Sequence, residues 1–124
     1  MADDERDFIG IVRQWLVPSY DFIGMTAPKA FLRKLSEEEP DLVILDVKMR
    51  GASGFALCEE IRKKSRFAGL PIVFLTGCAE DMDFLNGWKM GGTKYLSKPV
   101  TRSKLLSVIR KYITLSSRQA AATY

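Results

Sequence analysis

The chain has 124 residues, of which 47% are hydrophobic and 27% are charged, and these values are ordinary for one soluble globular domain. No apolar run approaches the roughly 20 residues of a membrane-spanning helix, and the acidic N-terminus is unlike a secretory signal, so we expect a cytoplasmic protein without a membrane partner. The formal charge of +4 is a mild excess that usually reflects solvated helix faces, so nucleic acid is not an expected partner. The lack of histidine excludes His-based catalysis and His-ligated zinc.

The first part of the chain alternates between helical and extended patterns. Apolar residues recur every three or four positions in residues 5–17, which predicts an amphipathic helix that Pro18 ends. Residues 22–25 are strand-like. Pro28 suits the first turn of a second helix, which we expect to run to about Glu38.

Two short, unbroken apolar runs, residues 42–45 and 72–75, are typical of strands that are buried on both faces. Helices are predicted after the first of these runs, at residues 80–90, and after Thr101, whose hydroxyl suits an N-cap. Residues 93–97 are predicted to form a short strand.

Strands that alternate with helices predict a doubly wound α/β fold, with a parallel sheet covered on both faces. We expect residues 1–115 to form one domain and residues 116–124 to be a flexible tail. Ligands of such open sheets bind beyond the carboxyl ends of the strands. Asp46, Thr76 and Lys98 each stand at or just beyond a predicted strand end, so the sequence predicts a site there.

Asp46 is open to two interpretations, because an aspartate after a strand can cap a turn or can act as a nucleophile that forms an aspartyl phosphate. Asp3 and Asp4 directly precede the first helix, where negative charge is favourable in itself. If they also approach Asp46, three carboxylates need a cation, and Mg²⁺ is the natural candidate because it prefers oxygen ligands.

Lys98 and Thr76 are equally ambiguous when each is taken alone. Lys98 could be a surface lysine beside a proline, or it could balance the carboxylates and hold a phosphoryl oxygen. Thr76 could be an ordinary strand-end threonine, or its hydroxyl could donate to the same group. Together with Asp46, they supply the parts that phosphoryl transfer requires.

From Asp3 to about Leu115, the chain resembles the response-regulator receiver domains of two-component signalling. The matching segments are Asp3-Asp4-Glu5, Pro40-Asp41-Leu42-Val43-Ile44-Leu45-Asp46-Val47-Lys48-Met49, Gly54, Pro71-Ile72-Val73-Phe74-Leu75-Thr76-Gly77, Gly91, Tyr95 and Lys98-Pro99. The ordered set is highly specific, whereas any single segment is weak. The resemblance implies a flavodoxin-like sheet with strand order 2-1-3-4-5.

The resemblance also implies a role for individual residues. Asp46 would be the phosphoacceptor, and Mg²⁺ would be held by Asp3, Asp4, Asp46 and the backbone carbonyl of Lys48. Thr76 would be the hydroxyl switch residue, Lys98 would hold the phosphoryl group, and the Lys98–Pro99 peptide bond would be cis. Tyr95 would rotate with Thr76, although packing on a neighbouring helix explains an aromatic there equally well.

Members of this family begin with an apolar first strand ahead of the acidic pair, whereas only Met1 and Ala2 precede Asp3 here. That strand is central in the expected order, so its truncation would remove the middle of the sheet. Three explanations are open: a gene start placed at an internal methionine, a true truncation that dimerisation or segment exchange repairs, or a degenerate domain. We favour the second, with a homodimer in which neighbouring chains pair across the vacated slot.

The function implied is phosphorelay signal transduction, with a histidine kinase or phosphotransfer protein as donor and a downstream protein target that the sequence does not identify. Trp88, Tyr95 and Arg102 would lie on the surface that switches. The protein would not be an enzyme beyond self-catalysed phosphorylation and dephosphorylation; related aspartate-based phosphatases need a second aspartate where Lys48 stands. The alternative is a pseudo-receiver, a protein-interaction module that works without phosphorylation.

Overall fold

The computed structural model describes residues 1–49, 52–77, 94–116 and 122–123. Four α-helices occur in these residues, at Arg6–Leu16 (α1), Pro28–Glu38 (α2), Gly54–Arg62 (α3) and Arg102–Ser116 (α4), and a 3-10 turn spans Ser65–Phe67. The predicted helix at residues 80–90 lies outside the described residues. None of the described helices is long and apolar enough to cross a membrane.

The strands within the described residues are short, and their bounds are Asp21–Phe22 (β1), Val43–Asp46 (β2), Lys48–Met49 (β3), Ala52–Ser53 (β4), Ile72–Thr76 (β5), Lys94–Ser97 (β6) and Ala122–Thr123 (β7). β2, β5 and β6 form a parallel sheet in that order. The register pairs Asp46 with Leu75 and Thr76 with Ser97, so the carboxyl ends of these strands meet at one edge.

Residues Met1–Asp3 occupy the central position of the sheet, between β2 and the segment that follows β1. Ala2 makes parallel bridges to both Met25 and Leu45. Its amide donates to the Ile44 carbonyl at 2.9 Å, and its carbonyl accepts from the Asp46 amide at 2.9 Å. Across the sheet the order is therefore the segment at Met25, then Met1–Asp3, β2, β5 and β6, which is the expected order 2-1-3-4-5 in the family's own strand numbering. The expectation that the middle of the sheet is missing is corrected, because this short segment fills the slot between its two neighbours.

The core lies in two layers, one on each face of the sheet. Successive strand residues point to opposite faces, so Ile44 and Val73 pack with α1 and α4, whereas Leu45 and Phe74 pack with α2 and α3. All four side chains are fully buried. The unbroken apolar sequence of β2 and β5 is therefore explained by burial on both sides.

Local features show where the chain departs from its sequence pattern. The sequence pattern predicts a loop at residues 51–54, but Ala52–Ser53 forms β4 and pairs antiparallel with β3, with Lys48 opposite Ser53 and Met49 opposite Ala52. β7 pairs in parallel with β1. The flexibility expected for residues 116–124 stays a prediction.

Candidate functional site

Three functional side chains are brought to the carboxyl edge of the sheet by adjacent strands. Asp46 is the last residue of β2, Thr76 is the last residue of β5, and Lys98 directly follows β6. The Lys98 amide donates to the Thr76 carbonyl at 2.7 Å, which fixes Lys98 beside β5. The site that the sequence predicts is therefore assembled by strand pairing alone.

Lys98 forms the centre of an ion-pair cluster. Its Nζ atom lies 3.2 Å from Asp3 Oδ2 and 3.3 Å from Asp46 Oδ1. The Lys98 side chain is 20% exposed, whereas those of Asp3 and Asp46 are 0% and 7% exposed. Because water screens such buried charges poorly, the Coulomb attraction within these pairs is stronger than in a surface ion pair.

Asp3 connects this cluster to the start of α1. Its Oδ1 atom accepts a hydrogen bond from the Glu5 amide at 2.9 Å, while its other carboxylate oxygen faces Lys98. The carboxylate thus satisfies a backbone donor ahead of the helix, where negative charge is also favoured by the helix dipole. Asp3 therefore fits both interpretations: it places a negative charge ahead of a helix, and it belongs to the acidic site.

The buried cluster perturbs the protonation of Asp46 and Lys98. Burial, and then the neighbouring Asp3 carboxylate, raise the pKa of Asp46 from 3.8 to about 6, although Lys98 opposes this shift. Burial lowers the pKa of Lys98, but the Asp3 and Asp46 carboxylates outweigh it, so the pKa is raised above its ordinary value of 10.5. At neutral pH Asp46 is therefore mostly ionised and Lys98 is protonated.

An acidic pocket suited to a divalent cation lies next to Asp46. Carboxylate oxygens of Asp3, Asp4 and Glu5 lie within 4.8 Å of one another, and their exposure increases from buried Asp3 to exposed Glu5. An all-oxygen donor set open to water is the kind that Mg²⁺ prefers, because this ion keeps several water ligands. The donor chemistry thus fits Mg²⁺.

The remaining predicted residues lie around this centre. Tyr95, in β6, stacks on Phe74 with ring centroids 6.0 Å apart, and is partly buried against the core. Lys48 has an exposed side chain and belongs to the β3–β4 hairpin. The Lys98–Pro99 peptide bond is cis. Trp88 lies outside the described residues.

Two residues near the site have no role assigned to them from the sequence. Glu5 joins the acidic pocket, and its position directly after Asp3 and Asp4 was the available signal. Phe8 is one of the periodic apolar residues that predict the first helix, yet Lys98 Nζ lies 5.0 Å from the centroid of its ring. No pattern within α1 indicates this contact, because Lys98 is 90 residues away in the chain.

An open parallel sheet with a buried aspartate, a threonine and a lysine at the ends of neighbouring strands is the arrangement expected of a phosphoacceptor-type signalling domain. The sequence profile described as the response regulator receiver domain matches residues 1–110. The chain therefore belongs to the receiver-domain family of response regulators, whose function is phosphorelay signal transduction.

Individual relatives agree with this assignment. The transcriptional regulatory protein GltR of Pseudomonas aeruginosa is 32% identical over 111 residues, which cover 89% of this chain and 46% of GltR. The regulatory protein VanR of Enterococcus faecium is 30% identical, over 89% of this chain and 47% of VanR. The chain thus spans about half the length of these curated relatives.

Solved structures share the fold. The receiver domain of Klebsiella pneumoniae RstA, in a BeF3-activated state, superposes with a TM-score of 0.79 at 26% identity, covering 90% of this chain and 94% of that one. The alternative function, that of a pseudo-receiver, is not favoured by these comparisons.

Proposed function

We propose that Asp46 accepts a phosphoryl group from a histidine kinase or a phosphotransfer protein. The observation that carries the proposal is the position of Lys98 Nζ, within 3.3 Å of both Asp46 and Asp3 at the edge where the strands end. A cation in that position can hold a phosphoryl oxygen, and the Asp46 carboxylate is mostly ionised at pH 7 because its pKa is about 6.

In the transfer step, an Asp46 carboxylate oxygen forms a bond to phosphorus while the bond from phosphorus to the donor nitrogen or oxygen breaks. The donor leaves with the electron pair of that bond. Lys98 neutralises charge on the phosphoryl oxygens, and the Thr76 hydroxyl donates a hydrogen bond to one of them. Thr76 is buried at the end of β5, beside Asp46 on the neighbouring strand, which supports this role.

Asp3, Asp4 and Asp46, with the backbone carbonyl of Lys48, would hold Mg²⁺. Bound there, the ion would neutralise the carboxylates and the incoming phosphoryl oxygens. We expect Mg²⁺ to raise the free energy of unfolding, by about 2.7 kcal/mol at a concentration one hundred times the dissociation constant. Urea unfolding across a Mg²⁺ titration measures this; an Asp4→Asn variant should respond far less, and an equal response in both would contradict the ligand assignment.

The direct test of phosphoacceptance is the intact mass of the protein after incubation with acetyl phosphate and Mg²⁺. We expect the gain of one phosphoryl group, which should be absent in Asp46→Asn and absent without Mg²⁺. No gain in protein shown to be folded would overturn the proposal and leave a pseudo-receiver as the function.

We further propose that phosphorylation changes a surface that includes Tyr95 and Arg102. Tyr95 lies in β6, which directly precedes Lys98, and Arg102 begins α4 shortly after Pro99, with Val100 and Thr101 between them. Movement of Thr76 and Lys98 toward the phosphoryl group would therefore be transmitted along the chain to Tyr95 on one side of Lys98 and to Arg102 on the other. The downstream target is a protein that neither the site nor the fold identifies.

Homodimerisation is a separate proposal about partners. The bridges at Ala2 already join the two sides of the sheet, so a second copy would pair with a sheet edge instead. Sedimentation at micromolar concentration tests this: a dimer supports it, and a monomer that unfolds cooperatively contradicts it.

A further inference from the structure

Lys98 has a third partner besides the two carboxylates. Its Nζ atom lies 5.0 Å from the centroid of the Phe8 ring, within the distance at which an aromatic face attracts a cation. Phe8 is partly buried and packs against the core cluster beneath α1. The ammonium group therefore lies among Asp3, Asp46 and an aromatic ring.

The ring differs from the carboxylates in what it does to the ammonium group. Asp3 and Asp46 neutralise its charge, whereas a ring face attracts it without adding negative charge to a site that must receive an anionic phosphoryl group. Phe8 is fixed to α1, whose start is tied to the same cluster by the hydrogen bond from the Glu5 amide to Asp3. The ring thus offers Lys98 a contact that does not compete with a phosphoryl oxygen.

Phe8 differs from an ordinary core residue because its ring also lines a pocket beside the site. Phe8, Lys98, Pro99, Val100 and Glu5 line a cavity of about 340 Å³ beside the site. The ring and Lys98 therefore line the same pocket, next to the ion-pair cluster. Loss of the ring would enlarge this pocket beside the Lys98 side chain.

We propose that Phe8 is a positioning residue for phosphoryl transfer, acting through Lys98. This inference rests on the proposed function of Asp46 and Lys98. Phe8→Leu keeps an apolar side chain and removes the aromatic face, so the rate of phosphorylation by acetyl phosphate should fall about threefold per folded molecule. Phe8→Tyr keeps the face, and the adjoining cavity has room for its hydroxyl, so it should restore most of the rate.

Phe22→Leu is the matched control. The Phe22 ring is buried in the same core cluster and also lies under a cation, with Arg13 Cζ 4.9 Å from its centroid, but it is not part of the site. This variant should lose stability in urea unfolding and keep the wild-type rate once the folded fraction is taken into account.

A double-mutant cycle shows whether Phe8 acts through the lysine. In a Lys98→Gln background, Phe8→Leu should change the rate by much less than threefold. An equal effect in both backgrounds, a wild-type rate in Phe8→Leu, or no rescue by Phe8→Tyr would overturn the positioning role while leaving Asp46 as phosphoacceptor. Failure of the wild-type protein to take up any phosphoryl group would overturn both proposals.

Discussion

The ionised carboxylate of Asp46 lowers the free energy of unfolding, by an amount that depends on pH. Its pKa is raised to about 6 from 3.8, so the folded state holds the proton more tightly than the unfolded chain does. The stability of the metal-free protein should therefore fall as the pH rises from about 4 to about 6, and this cost should stay constant at higher pH.

Asp46→Asn removes the charge, and its neutral side chain resembles the protonated aspartic acid. In the absence of metal, we expect the variant to match the wild type near pH 4 and to be more stable by roughly 2 kcal/mol at pH 7.5. Urea unfolding of both proteins at the two pH values measures the difference. A variant that is less stable than the wild type at pH 7.5 would show that the Lys98 ion pair outweighs burial.

The residue scale also shows how far sequence reasoning reaches. Asp46, Thr76 and Lys98 could be identified because each follows a strand, and strand ends converge in a parallel sheet. Phe8 could not, since its contact with Lys98 depends on how α1 packs over the sheet. Periodicity assigns a residue to a face of its helix but does not say which distant side chain meets that face.

At the scale of elements, the backbone of Gly54 at the start of α3 lies in close contact with the backbone of Asp46. A Cβ atom at this position would collide with the Asp46 carbonyl, and the Gly54 amide donates to the Val47 carbonyl at 2.8 Å. Gly54→Ala should therefore displace the backbone beside Asp46. We expect a loss of about 1–3 kcal/mol in stability and slower phosphorylation.

Gly10→Ala is the control for this substitution. Gly10 lies within α1, and no atom within 4 Å would meet an added Cβ. Alanine has the higher helix propensity, so this variant should gain about 0.5–1 kcal/mol in urea unfolding and keep its phosphorylation rate. If Gly54→Ala were as stable as Gly10→Ala, the close approach to Asp46 would not constrain α3.

Element boundaries were predictable where local chemistry marks them. α2 spans Pro28–Glu38 as predicted, because Pro28 suits its first turn and Pro40 follows its end. Thr101 caps α4 as predicted, accepting from the Lys104 amide at 3.2 Å. The β3–β4 hairpin was missed, since two-residue strands lack a detectable alternation.

At the scale of the whole molecule, the sheet depends on a very short central segment. The order of the strands was predictable from family resemblance, but no pattern in the sequence indicates that Met1–Asp3 pairs with both of its neighbours. Ala2 exchanges hydrogen bonds with Ile44 and Asp46 of β2 on one side, Met1 and Asp3 exchange them with Met25 on the other, and Ala2 is fully buried. This segment also delivers Asp3 to the site, so the integrity of the sheet and of the site are coupled.

Ala2→Pro tests that coupling. Proline removes the amide that donates to the Ile44 carbonyl at 2.9 Å, in the middle of the sheet. We expect a loss of about 3 kcal/mol or more in the free energy of unfolding, measured in urea. Stability within about 0.5 kcal/mol of the wild type would mean that the bridges at Ala2 contribute little to the sheet.

The most direct test of the central claim is to locate the phosphoryl group chemically. Protein treated with acetyl phosphate and Mg²⁺ is reduced with borohydride, which converts an aspartyl phosphate to homoserine, and its peptides are analysed by mass spectrometry. We predict homoserine at position 46 and at no other aspartate. Unmodified Asp46 in folded protein, or homoserine at another position, would contradict the assignment of Asp46 as the phosphoacceptor.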